Sequence, residues 1–164
     1  MDERTKRVKE KIKDALRGTI YQNDIYLAGG VVRDTLIGKV SKDLDFLVSG
    51  HGIDGGIKVA ELLAKKLNLS NVAFFPRFGT AKISIEGLDV EFVASRKEIY
   101  DGVTRKPEVI EGSLKDDAMR RDFTINSLFQ RLSDDEILDL TGYGMKDLQN
   151  KFMRTSSDPN TIFK

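Results

Sequence analysis

Two aspartates flank one leucine at Asp43-Leu44-Asp45, shortly after paired glycines, Gly29-Gly30, and an arginine, Arg33. In a strand, alternate side chains share a face. The two carboxylates therefore project together, with Leu44 and Phe46 turned to the core. Adjacent carboxylates repel, which favours protonation of one of them unless a cation lies between. One or two divalent metals would resolve that conflict; without a cation the pair is a solvated sheet edge. Paired glycines before a short helix can be a turn that needs positive φ. They can equally let a phosphate reach backbone amides at the helix start. Arg33 follows about one helical turn on and can lean over the same space, or simply pair with Asp34. Taken together, these groups describe a metal–triphosphate site. The spacing fits neither GxGxxG nor GxxxxGK[ST], so dinucleotide and P-loop mechanisms do not apply. A third carboxylate on a nearby strand would complete a two-metal arrangement, and "LDVEFVA" offers Asp89 or Glu91. Glu91 is preferred, because a charge between Val90 and Phe92 in mid-strand needs a reason.

The elements that must hold these groups follow from hydrophobic periodicity. Residues 3–17 read as a polar helix with a stripe at Val8, Ile12, Ala15 and Leu16. Ile25–Ala28 is a short buried strand, residues 31–37 a short helix ending at Gly38, and Asp43–Val48 the next strand. An amphipathic helix spans 54–67, followed by strands at 72–75, 80–87 and 89–94, the last two joined through Glu86-Gly87-Leu88. The charged run after Ala94, with Gly102 and Pro107, reads as a loop in which Arg105 and Lys106 are solvated. A helix is expected from Leu114 to about Leu128, then a hairpin from "LFQRL" and "EILDLT", a helical turn at "GMKDLQNK" and a strand at "FMRT". Phe74, Phe75 and Phe78 are expected in the core, and His51 in a surface turn. Strands and helices without regular alternation predict an α+β, or mixed α/β, fold.

Composition removes several classes of chemistry. The 164 residues suit one domain. There is no cysteine and one histidine, which excludes disulfides, thiolate metal sites and any centre needing two imidazoles. A metal would sit on oxygen ligands, hence magnesium, manganese or calcium. Lys and Arg total 27 against 26 Asp and Glu, so a polyanion-binding surface would have to be local. No apolar run approaches a membrane span and the charged N-terminus lacks a signal-peptide core, so a cytoplasmic location is expected.

"LAGGVVRDTLIGKVSKDLDFLV" followed by "RRDFTINSLF" strongly resembles the head domain of class II tRNA nucleotidyltransferases, the CCA-adding enzymes, and of the related bacterial poly(A) polymerases. The intervening "FGTAKISIEGLDVEFVASRKEIY" is similar to the family's central strands, and the resemblance covers about residues 20–160. It implies a polymerase-β-like nucleotidyltransferase fold, with a central mixed sheet of about five strands flanked by helices. It further implies that Asp43 and Asp45 hold two Mg2+ ions, with Mn2+ as a substitute, and that Glu91 is the third catalytic carboxylate. Gly29, Gly30 and Arg33 would contact the triphosphate, Arg121 the nucleotide and Asp122 its ribose, with Asn126 as helper. The implied reaction is transfer of a nucleoside monophosphate from CTP or ATP to the 3′-hydroxyl of RNA, of which the tRNA 3′ end is the expected acceptor. CC-, A- or poly(A)-adding activity shares these motifs, and a non-catalytic nucleotide-binding module is the alternative of another class.

The expected organisation is an N-terminal helix at 1–20, a nucleotidyltransferase head at 21–155, and at 156–164 the start of a connection. Family members continue there into a helical neck, body and tail, which choose the base and hold the tRNA. An excised head is therefore expected in preference to a short protein with a partner chain, and weak or absent activity in isolation.

Overall fold

A computed structural model describes residues 1–100, 102–103 and 108–158. Helix α1 spans Glu3–Leu16 and starts where Asp2 accepts a hydrogen bond from the Thr5 amide at 2.7 Å. Strand β1 (Ile25–Ala28) leads through the glycine pair into α2 (Gly30–Leu36), and β2 (Leu44–Val48) into α3 (Gly55–Lys66). Strands β3 (Val72–Phe75), β4 (Thr80–Ile85) and β5 (Leu88–Ala94) follow, then β6 (Arg96–Ile99) and β7 (Glu108–Glu111). Helix α4 (Leu114–Arg120), strands β8 (Leu128–Arg131) and β9 (Ile137–Asp139), and α5 (Gly144–Gln149) complete the order.

Seven strands form one mixed sheet in the order β3-β4-β5-β2-β1-β8-β9, and β6 and β7 make a separate two-stranded ribbon. Among the described residues, only β2 and β5 pair in parallel. Alternation gives the sheet two different faces. Leu27, Leu44, Phe46, Ile83, Val90 and Phe92 pack on Val8, Ile12 and Leu16 of α1 and on Val59 and Leu63 of α3. The Phe46 and Phe92 rings stack there at 5.1 Å. On the other face, α4 covers only one end, through Ala118 over Tyr26, Ala28, Leu47 and Phe129. Asp45, Lys82 and Glu91 remain on its uncovered part, since α4 ends before reaching them.

The mixed sheet is as expected, but it has seven strands where about five were expected. The extra pair is the β8–β9 hairpin, which docks on the free edge of β1 with Leu27 opposite Gln130. Further readings are corrected. The helix from Leu114 stops at Arg120, because Arg121 is extended at φ −72°, ψ 158°. The following segment is instead tied to the C-terminal residues, through a Phe123–Thr155 bridge and the Thr124 amide donating to the Arg154 carbonyl at 2.9 Å. That bridge is all that "FMRT" contributes to pairing. The charged run after Ala94 is the β6–β7 ribbon at both ends, while Arg105 and Lys106 lie outside the described residues. Phe74, Phe75 and Phe78 are 41%, 46% and 61% exposed, because β3 is an edge strand with no element beyond it. His51 lies in a bend after β2, where Nε2 is 2.7 Å from Asp24 Oδ2 and the ring rests against Tyr21.

Candidate active site

Gly29 links β1 to α2 at φ 76°, ψ −147°, a region essentially restricted to glycine. A Cβ at Gly29 would lie 3.8 Å from Arg121 Nη1, and one at Gly30 would lie 3.3 Å from Arg33 Nη2. Each glycine thus has a guanidinium standing over it, although the two arginines are far apart in sequence. Helix α2 has only 7 residues, so the positive charge here comes from side chains more than from a helix dipole. Arg33 is steered from two sides: Nε donates to Asp34 Oδ1 at 3.0 Å and Nη1 to Asn126 Oδ1 at 2.7 Å. Asn126 Nδ2 donates in turn to Asp122 Oδ1 at 3.1 Å, which also accepts from the Phe123 amide.

The second arginine is held by Asp117, a fully buried carboxylate on α4. It accepts from Arg121 Nε at 3.1 Å, from Arg120 Nη2 at 3.4 Å and from the Arg96 backbone amide at 2.8 Å. Arg121 also lies over the Phe129 ring, 5.2 Å from its centroid. Burial pushes the Arg121 guanidinium below its usual range, with Asp117 opposing the shift and Arg120 adding to it. Burial lowers Arg96 as well, reinforced by Arg120. Arg120 and Arg121 therefore share one buried counter-ion. That sharing positions Arg121 at Gly29.

The carboxylates form a row across the open face. Asp45 on β2 stands opposite Glu91 on β5, and Glu91 stands opposite Lys82 on β4. Asp43 lies one residue before β2 and is exposed. Asp89 pairs with Ser84, one step further from Asp45 on the same face, so Glu91 is the carboxylate that meets Asp45. Partial burial, then Glu91 and Asp43, push the Asp45 carboxyl above the usual carboxylate range. Such crowded negative charge is what a divalent cation relieves. Among the described residues no three Asp, Glu, His or Cys side chains form a ready metal cage. Magnesium commonly takes one or two carboxylates and completes its shell with water and substrate phosphates, which the Asp43, Asp45 and Glu91 arrangement permits.

Gly29, Asp45, Glu91, Arg96, Arg120 and Arg121 line one cleft of about 210 Å³. A neighbouring cleft of about 360 Å³ shares Glu91 and Arg96 with it. A larger cleft, about 640 Å³, is lined by Lys11, Asp14, Lys66 and Glu86, away from the acidic row. The structure thus brings Gly29, Asp45, Glu91 and Arg121 into one cleft, with Gly30 and Arg33 at its glycine end and Asn126 and Asp122 behind Arg33. Sequence reasoning missed Asp117, Arg96 and Lys82. Asp117 had a signal in its four-residue spacing to Arg121 on a helical segment. Lys82 had one in being a charge between Ala81 and Ile83 on a strand.

A mixed sheet packed by helices on one face and open to an acidic row on the other is the architecture of polymerase-β-like nucleotidyltransferases. Residues 25–154 match the model of the family described as "Poly A polymerase head domain", and the chain belongs to that family. It is 41% identical over 131 residues to the A-adding tRNA nucleotidyltransferase of Aquifex aeolicus, covering 79% of this chain and 15% of that one. It is 36% identical over 151 residues to the CC-adding tRNA nucleotidyltransferase of Deinococcus radiodurans, covering 90% and 39%. Among solved structures, a tRNA nucleotidyltransferase complexed with a primer tRNA and an incoming ATP analog superposes with a TM-score of 0.68 at 33% identity, covering 88% of this chain and 38% of that one. The chain thus spans well under half of these relatives. Nucleotidyltransferases of this family generally use divalent metals. No helix among the described residues is long and apolar enough to cross a membrane.

Proposed function

We propose that this chain is the catalytic head of an RNA nucleotidyltransferase that transfers a nucleoside monophosphate from ATP or CTP to an RNA 3′-hydroxyl, as at the 3′ end of tRNA. The observation that carries this reading is the meeting, in one cleft, of Gly29 under Arg121 with the Asp45–Glu91 pair, with Gly30 under Arg33 next along the chain. Arg33 and Arg121 would bind the triphosphate, with the glycines leaving room for it against the backbone. Asp122, exposed beside Arg121, would accept from the ribose, and Asn126 holds both Arg33 and Asp122 in place. Asp43 and Asp45 would hold two Mg2+ ions, with Mn2+ acceptable in their place. Bound there, such ions lower the pKa of the attacking hydroxyl and stabilise the departing pyrophosphate. The RNA 3′ oxygen would form a bond to the α-phosphorus as the bond to the β-phosphate bridging oxygen breaks, and Glu91 would accept the hydroxyl proton. No covalent intermediate is needed, in keeping with a chain that has no cysteine.

A cradle built for phosphates makes little distinction between bases. Calorimetry in the presence of Mg2+ is expected to give affinities for ATP and CTP within about threefold of each other, less than ~1 kcal/mol. Both should be lost when Arg33 and Arg121 are replaced by alanine. Labelled nucleotide should be incorporated into RNA bearing a 3′-hydroxyl and not into RNA with a 3′-deoxy end. Nucleotide binding that persists without both arginines would overturn the cradle, and incorporation into 3′-deoxy RNA would overturn the reaction.

A further inference from the structure

The cleft next to the acidic row has no role so far. It is lined by Phe75, Phe78, Thr80, Lys82, Glu91 and Arg96, so it combines two exposed aromatic rings, two cations and the carboxylate it shares with the catalytic cleft. Its place in the sheet is defined by register. Lys82 lies across Glu91 from Asp45, and Phe75 pairs with Thr80 at the outer edge. The glycine cradle lies beyond Asp45 on the β1 side, so the two clefts flank the carboxylates from opposite directions.

Phosphoryl transfer needs the attacking and leaving oxygens roughly in line across phosphorus. With the triphosphate at Gly29, Arg33 and Arg121, the leaving pyrophosphate occupies the β1 side. The attacking strand must then enter from the β4 side, through this second cleft. Its chemistry suits a single-stranded nucleic acid end: aromatic faces stack on bases, and cations meet the backbone phosphate. Arg96 Nε is buried without a hydrogen-bond partner, and its guanidinium lines this cleft, where a phosphate could meet it. The backbone that carries the rings is constrained. The one-turn helix Pro76–Phe78 is closed by Gly79 at φ 62°, where a Cβ would collide with the Ile53 carbonyl oxygen.

We propose that Phe75 and Phe78 form the stacking platform for the terminal nucleotide of the acceptor RNA, with Lys82 and Arg96 on its phosphate, delivering the 3′-hydroxyl to Glu91 and Asp45. The proposal rests on the transferase reading for its choice of ligand, and a binding measurement separates the two. The probe is a short single-stranded RNA carrying 2-aminopurine as its 3′-terminal base, with a second RNA carrying it internally as control. The terminal probe should be quenched on binding, and more strongly than the internal one. Phe75→Leu and Phe78→Leu, both at exposed positions, should remove that difference and raise the acceptor KM about tenfold while the nucleotide KM stays within twofold. Lys82→Gln should lower the slope of log affinity against log salt by about 0.7, one single-strand phosphate contact.

Equal quenching of both probes, or terminal quenching unchanged in both leucine variants, would overturn the platform. Nucleotide incorporation with an unaltered acceptor KM in those variants would remove the platform and leave the transferase standing. End-specific quenching that depends on Phe75 and Phe78, in a chain whose nucleotide binding does not depend on Arg33 and Arg121 and that incorporates no nucleotide, would uphold the platform and remove the transferase.

Discussion

Replacing Asp45 by asparagine is expected to slow nucleotide addition by about 10³-fold or more, because a lost metal carboxylate removes several kcal/mol of transition-state stabilisation at about 1.4 kcal/mol per decade. The fold should not suffer. Asp45 is exposed on the open face, and its carboxyl sits above the usual range through partial burial and the charges of Glu91 and Asp43. A carboxyl whose folded-state pKa is raised binds its proton more tightly in the folded chain than in the unfolded one. It favours folding below that raised pKa and works against folding once ionised above it. Asparagine has no charge to repel Glu91, so at neutral pH without divalent ions the variant should melt at or slightly above the wild-type temperature. Single-turnover kinetics and thermal denaturation check the two halves separately. Turnover within tenfold of wild type would end the assignment of Asp45 to the reaction, and a clearly lower melting temperature would make it a structural residue.

Asp117→Asn is expected to do the reverse, damaging stability first and function as a consequence. The wild-type carboxylate is fully buried and pairs with both Arg120 and Arg121, which are themselves mostly covered. Removing one partner from a buried ionic cluster leaves the others uncompensated, which costs about 3–5 kcal/mol. For a domain of this size, that is a fall of roughly 10 °C in melting temperature. Because the Arg96 amide also donates to Asp117, the start of the β6–β7 ribbon should loosen with it. Where the variant still folds, Arg121 is no longer fixed over Gly29. The nucleotide KM should then rise several-fold, with a smaller change in kcat. A melting temperature within 2 °C of wild type, which by the same scale is under ~1 kcal/mol, would refute the hub.

These two residues differ in how visible they were. Asp45 stood out as a candidate because its neighbours set it off: an acidic pair at strand spacing between apolar residues, following a glycine pair and an arginine. Asp117 sits in "LKDDAMRR" next to Asp116, and nothing local separates the two. Asp116 caps α4 with Ser113 at its exposed start, while Asp117 is drawn inside by arginines from α4 itself and by the first residue of β6. The same blindness produced the error over the phenylalanines. A run of Phe at strand spacing looks like core, and it is core in a strand with neighbours on both sides. β3 has a neighbour only on one side. The over-long helix at 114–128 failed for a related reason, since helical spacing was outweighed by backbone pairing to residues 154–156.

By itself the sequence determined what depends on a few consecutive residues. That includes the glycine pair that turns β1 into α2, the strand alternation that exposes Asp45 and buries Phe46, and the amphipathic stripes of α1 and α3. The two motifs, in order, also determined the family. Tertiary structure decided whatever needed residues dozens of positions apart to meet: Arg121 over Gly29, the Asp45–Glu91–Lys82 row, the buried Asp117 hub and the aromatic cleft beside it. Those meetings depend on register and packing, which are selected by burial of the whole sheet rather than by any local preference. The sequence that opens with Gly29 supplies the glycines and carboxylates of the candidate site, and the fold sets which of them face one another.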